Sequence, residues 1–159
     1  MEGVDLLEPI RVVLAGATGK TGREVARGVA AQEDMELVGA LARNNVGEDL
    51  GAVLWGRPLG VRITTELKSL LEASAADVLV DFTRPEAAGR HAILAAEHWV
   101  RPVVGTTGIP AEELRVLDET CRRLAVGAVV APNFSLGAVL VARWAAEAAR
   151  LFEGCEIVE

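Results

Sequence analysis

Short apolar runs alternate with helix-patterned stretches along almost the whole chain, and this alternation restricts the possible folds more than any other feature. Residues 10–15, 36–41, 61–63, 78–82, 102–105 and 128–131 read as strands, ended by small or turn-forming residues. Residues 21–32, 66–73, 85–98 and 110–124 read as the helices between them, with Pro85 suited to a first helical turn. A further Ala-rich helix is expected over 136–152, and residues 155–158 read as the start of another strand. Strand and helix in strict succession imply an α/β fold, a parallel doubly wound sheet with right-handed crossovers. The segment 42–60, rich in Gly, Asn and Asp, is expected to be a long loop with a short helical piece near Leu50.

Composition agrees with this architecture. Of the 159 residues 51% are hydrophobic and only 4% aromatic, so small and branched side chains must form the core. The net charge of −7 opposes a nucleic-acid surface, which needs a basic stripe. It does not oppose an anionic cofactor held by backbone amides. Cys121 and Cys155 are too few and too far apart for a disulfide framework or a metal cluster. The acidic N-terminus has no signal-peptide pattern and no apolar run reaches the roughly 20 residues a membrane helix needs. A cytoplasmic protein with no membrane partner is expected.

The first strand runs into Gly16-Ala17-Thr18-Gly19-Lys20-Thr21-Gly22, directly before the first helix. Gly16 can take the unusual φ of a tight turn. Gly19 has no Cβ to keep a pyrophosphate away, and Gly22 lets the helix pack close. Free amides at the helix start, aided by its dipole, would then face phosphates. The spacing is G-x-x-G-x-x-G, not the G-x-G-x-x-G fingerprint, and Lys20-Thr21 lacks the spacing of a phosphate-transfer loop. A purely structural turn is the competing reading.

An acid at the end of the second strand binds ribose hydroxyls in NAD-preferring sites. Here Ala42 holds that position and Arg43 follows. A guanidinium pairs well with a 2′-phosphate, and Lys20 is placed to help, so NADPH is expected to be preferred, with NADH possible. A solvated loop role for Arg43 competes. Glu33, Asp34 and Glu36 fall at the wrong end of the strand.

Ligands of open α/β sheets sit outside the carboxyl ends of the strands. Three more strand-end loops are suggestive: Asp81 to Pro85, Gly105 to Gly108, and Ala131 to Gly137. The small residues Gly105, Thr106 and Thr107 would let a nicotinamide ring lie close, and Phe82 and Phe134 offer apolar walls. Ordinary turn chemistry for the threonines and core packing for the phenylalanines are the alternatives. Asp81 fits a loop hydrogen bond as well as it fits catalysis. His91 and His98 are read as structural or exposed.

Taken together, GATGKTG, DFTRP, VVGTTG and APNFSLG stand in this order at successive strand ends. The set resembles dihydrodipicolinate reductase, the NAD(P)H-dependent enzyme family of lysine and diaminopimelate synthesis, over about residues 10–159. The resemblance implies a Rossmann-type domain in which Gly16, Ala17, Thr18, Gly19, Lys20, Thr21 and Gly22 hold the pyrophosphate. It implies that Arg43 meets the adenosine ribose or its phosphate. Phe82 and Thr83, Gly105, Thr106 and Thr107, and Ala131, Pro132, Asn133 and Phe134 would line the nicotinamide side. The family often carries an acid where this chain has Ala42. The substrate domain, with its proton donor and its contacts to a dicarboxylate substrate, has no counterpart among these residues. Residues 1–154 are therefore expected to be the nucleotide-binding part and 155–159 the opening of the substrate part. No catalytic residue and no metal site is assigned, and the intact protein is expected to be a homo-oligomer.

Other dehydrogenase classes fit less well. A short-chain dehydrogenase needs a catalytic tyrosine, and the chain has none. A semialdehyde dehydrogenase needs a nucleophilic cysteine, and Cys121 falls mid-helix. A non-catalytic NADP(H)-binding sensor or a degenerate reductase remains as the alternative of a different class.

Overall fold

A computed structural model describes residues 8–152. Its strands are β1 (Ile10–Ala15), β2 (Met35–Leu41), β3 (Ile63–Thr64), β4 (Val78–Asp81), β5 (Arg101–Val104) and β6 (Val129–Val130). Its helices are α1 (Lys20–Ala30), α2 (Leu50–Trp55), α3 (Leu67–Ser74), α4 (Pro85–Glu97), α5 (Ala111–Leu124) and α6 (Leu136–Ala148). The strands form one parallel sheet in the order β3-β2-β1-β4-β5-β6. That is the doubly wound Rossmann order, and it reverses between β1 and β4.

The period of two along β1 builds a core on each face of the sheet. Val12 and Leu14 pack with Ala26 and Val29 of α1 and with Leu50 and Ile63. Val13 and Ala15 pack on the opposite face with Leu67, Leu71, Leu79 and Ala95. Leu14 and Leu79 are fully buried, a burial that stabilises by roughly 1.5–3 kcal/mol for each side chain. α4 packs through Ala88, Ala92 and Ala96 against Val104 and Leu117. Small side chains there bring helix and sheet close, which accounts for the alanine-rich composition.

Several boundaries differ from the sequence expectation. β3 starts two residues later and ends one later, and β5 sits one residue earlier, because the ladders to β2 and β4 select the paired residues. β6 keeps only two residues and is partly exposed, having a neighbour on one side alone among the described elements. α6 ends at Ala148 rather than 152 and buries no residue. The strand expected over 155–158 lies outside the described residues.

The segment 42–60 contains the expected short helix, and one carboxylate organises it. Asp49 caps α2, its Oδ1 accepting the amides of Ala52 and Leu59, each at 2.9 Å. Its Oδ2 accepts the amide of Gly60 at 2.7 Å. These amides hold the Asp49 carboxyl below the usual carboxylate range.

Candidate functional site

The tip of β1 turns sharply at Gly16, with φ +81° and a backbone so close to Phe82 that a Cβ would lie 2.7 Å from its carbonyl oxygen. The Gly16 and Ala17 amides bond to the Leu41 carbonyl, which ties the turn to the end of β2. The Gly19 amide returns to the Gly16 carbonyl at 2.9 Å, and Gly19 then caps α1 without a side-chain cap. The amides of Thr18, Lys20, Thr21 and Gly22 have no hydrogen-bond partner among the described residues. The first turn of α1 carries no acid, so nothing within the helix offsets the positive end of its dipole. A Cβ at Gly22 would overlap the Gly16 carbonyl oxygen, so only glycine allows this approach. Arg23 adds a cation beside the turn, its Nε donating to the Thr18 carbonyl at 3.0 Å.

A cleft of about 710 Å³ opens here, at the reversal of strand order. Gly16, Thr18 and Gly19 line it at the β1 tip, Ala42 and Arg43 at the β2 tip, and Phe82 and Thr83 at the β4 tip. The first turns of α4 complete it with Arg84, Arg90 and His91. Arg43 is exposed and forms no ion pair among the described residues. Lys20 and Thr21 lie exposed on the outer turn, whereas Ala17 and Gly22 are buried beneath it. Of the residues with free amides Thr18 lines the cleft, and the turn that carries the others borders it, with cations on two walls and Glu86 on the α4 wall. That donor set fits a diphosphate ester carrying a further anionic group.

The other expected positions lie beside this cleft rather than in it. Gly105 is covered by the Phe82 ring, which occupies the space a Cβ would take. Thr106 turns inward, its hydroxyl 3.4 Å from Asp81 Oδ1, while Thr107 is exposed. In this structure the Phe82 ring lies over Gly105, and Thr106 makes the kind of turn contact weighed as the alternative for it. Asn133 uses its Oδ1 to accept the Ser135 amide at 2.7 Å, and Ala131 bonds through its amide to Val104. Pro132 is exposed on the same loop. Phe134 stands 5.9 Å from Phe82, centroid to centroid, yet is 53% exposed, so the core role weighed for it does not hold. Among the described residues no group of acids, histidines and cysteines is placed to hold a metal. Burial, then the nearby Asp118 charge, pushes the Cys121 thiol up, away from the thiolate a nucleophile needs.

Asp81 is the part the sequence left undecided. It is fully buried, and its Oδ1 accepts the Thr83 amide at 2.8 Å and the Thr83 hydroxyl at 2.6 Å. Its Oδ2 meets His91 Nδ1 at 2.7 Å. The loop hydrogen bond weighed for Asp81 is what forms, and it carries His91 into the cleft wall. The ten-residue separation from β4 to the second turn of α4 hid this pair.

The fold and this cleft define a Rossmann-type nucleotide-binding domain. The family described as dihydrodipicolinate reductase, N-terminus, matches residues 10–134, and the chain belongs to that family. A 4-hydroxy-tetrahydrodipicolinate reductase of Moorella thermoacetica is 47% identical over 97% of this chain and 58% of its own length. One of Synechococcus elongatus is 41% identical over 97% of this chain and 59% of its own length. A solved dipicolinate-bound dihydrodipicolinate reductase from Paenisporosarcina sp. TG-14 superposes with TM-score 0.76 at 36% identity, covering 91% of this chain and 55% of that one. The chain therefore spans a little over half the length of the relatives it matches. No helix of the described residues is long and apolar enough to cross a membrane.

Proposed function

We propose that this chain binds NAD(P)H, NADPH in preference to NADH, as the cofactor-holding part of a dihydrodipicolinate reductase. The observation that carries this reading is the turn from Gly16 to Gly22 at the head of α1, with four free amides, beside the cleft that Gly16, Thr18 and Gly19 line together with the unpaired Arg43. The amides receive the pyrophosphate, and Arg43 with Lys20 receives the 2′-phosphate. Gly105 to Thr107 and Ala131 to Phe134 receive the nicotinamide side once the Phe82 and Phe134 rings part. When bound, the cofactor supplies a hydride, and the protein's part is to orient the ring and keep water away.

For the whole protein we propose reduction of a dihydrodipicolinate-type cyclic imine in lysine and diaminopimelate synthesis, in a cytoplasmic homo-oligomer. Residues 1–154 then form the nucleotide-binding part and 155–159 open the substrate-binding part, which supplies the proton and the dicarboxylate contacts. On this reading the 159-residue chain binds NADPH and shows little or no turnover. Turnover near that of a full-length relative would refute the division of labour.

Calorimetric titration with both cofactors tests the binding reading. The expected result is a lower dissociation constant for NADPH than for NADH. Arg43→Ala is expected to raise the NADPH constant about tenfold, the size of a charge-assisted hydrogen bond, and to leave NADH within about twofold. A wild-type NADPH-to-NADH ratio of one or more would overturn the NADPH preference.

A further inference from the structure

The edge of the sheet formed by the strand starts, opposite the cleft, carries features that the dinucleotide reading does not use. α4 ends there in a tight reversal, with the Trp99 amide bonded to the Ala96 carbonyl and the Val100 amide to the Ala95 carbonyl. That pattern holds Trp99 in the left-handed region, at φ +57°, where glycine is favoured. The ends of α3 and α5 use the same conformation at Ala75 and Ala125, with no more than a methyl group. Trp99 instead carries an indole there, and 66% of the residue is exposed. A large apolar ring on a backbone that disfavours any side chain, and left mostly in water, gains little from its own chain.

Two residues on, Arg101 opens β5 and lines a pocket of about 420 Å³ that runs across the starts of β1, β4 and β5. Ile10 and Val78 give the pocket apolar lining, and Glu8 also borders it. Arg11 and Asp77 line it too but are spent on each other, through the Arg11 amide on Asp77 Oδ2 at 2.9 Å and an ion pair at 3.4 Å. Arg101 is exposed and has no ion-pair partner among the described residues, and the same holds for Glu97 at the end of α4. A cavity of this size admits an indole, and a guanidinium is the cation that an indole face attracts. The knob and the hole therefore lie close along the chain, with an unpaired acid beside the knob and an unpaired cation beside the hole. Two-fold symmetry makes such a surface self-complementary, since each copy offers its knob to the other's hole. We propose that two copies of this chain associate through this edge, Trp99 of each entering the partner's pocket and Glu97 of each pairing with the partner's Arg101. Two indoles and their rims make a small interface, so the dimer is weak, with a dissociation constant of about 10–100 µM. The contact leaves the cleft open and does not rest on the dinucleotide reading.

Sedimentation velocity of the 159-residue chain from about 5 to 500 µM, a range that brackets the expected constant, tests the proposal by mass action. The wild type is expected to pass from monomer to dimer across it. Trp99→Gly suits the left-handed backbone and so keeps the fold, and it is expected to weaken the dimer by more than about tenfold. Arg101→Glu is expected to weaken it likewise, and Glu97→Arg added to Arg101→Glu is expected to restore it. A wild type that stays monomeric to the top of the range would overturn the proposal. So would a dimer that survives Trp99→Gly, as one formed through the exposed face of α6 would. A double charge swap that folds but restores nothing would overturn the pairing of Glu97 with the partner's Arg101. The wild type and Trp99→Gly decide even where Arg101→Glu fails to fold.

Discussion

A methyl group at residue 22 has no free space, because the Gly16 carbonyl oxygen already occupies the position its Cβ would take. The neighbouring backbone is itself held by bonds from the Gly16 and Ala17 amides to Leu41, so it cannot retreat without opening the junction of β1 and β2. Gly22→Ala is expected to cost about 2 kcal/mol, in the range of overpacking. A melting temperature lower by roughly 4–8 °C is the expected readout for a chain of this size. A melt unchanged within 1 °C would show that the turn relaxes freely. Gly19 contrasts with it: a Cβ there meets only the Gly16 oxygen, at 3.1 Å, and otherwise faces the open cleft. Gly19→Ala should therefore leave folding nearly intact and weaken dinucleotide binding, a separation that melting and calorimetry together would display.

At the scale of elements, the segment around α2 depends on a carboxylate as well as on the apolar face that Leu50 buries. The folded state holds Asp49 ionised through backbone amides, so its folded pKa lies below the ordinary 3.8. The stability it contributes is complete above that ordinary value and is lost as pH falls through the lowered folded value. Asp77 behaves alike, lowered first by the Arg11 amide and then by the Arg11 side chain. Asp49→Asn is expected to melt lower than wild type at pH 7, with the gap shrinking between about pH 4 and pH 2. A gap of constant size across that range would refute the electrostatic account. α6 presents the opposite case: Leu136 is 82% exposed, Trp144 61%, and the helix buries nothing. Trp144→Ser is accordingly expected to change the stability of this chain by no more than about 0.5 kcal/mol. Leu14→Ala, at a fully buried site between α1 and β2, is expected to cost about 2–5 kcal/mol, and denaturant melts of the two variants give the comparison.

At the scale of the whole molecule, the cleft exists because the strand order reverses between β1 and β4, leaving their tips with no crossover above them. What could be read along the chain was what depends on near neighbours. The alternation of apolar runs and helices gave the sheet and its parallel sense, since period and turn chemistry are local. The glycine spacing foretold the tight turn ahead of α1, since Gly16 needs a positive φ and Gly22 a bare Cα whatever the surroundings. Strand ends came out one or two residues off, because pairing with a neighbour rather than intrinsic preference sets them. The fates of Gly105 and Thr106 were illegible, because they turn on where the Phe82 ring and the Asp81 carboxylate settle, one strand away. His91 was illegible for the same reason: its partner is ten residues off, and only the packing of α4 on β4 brings the two within 2.7 Å. Thus sequence alone determined the architecture and the glycine turn ahead of α1, which follow from local backbone geometry. The tertiary structure decided which side chains face the cleft, because that depends on which elements become neighbours in space.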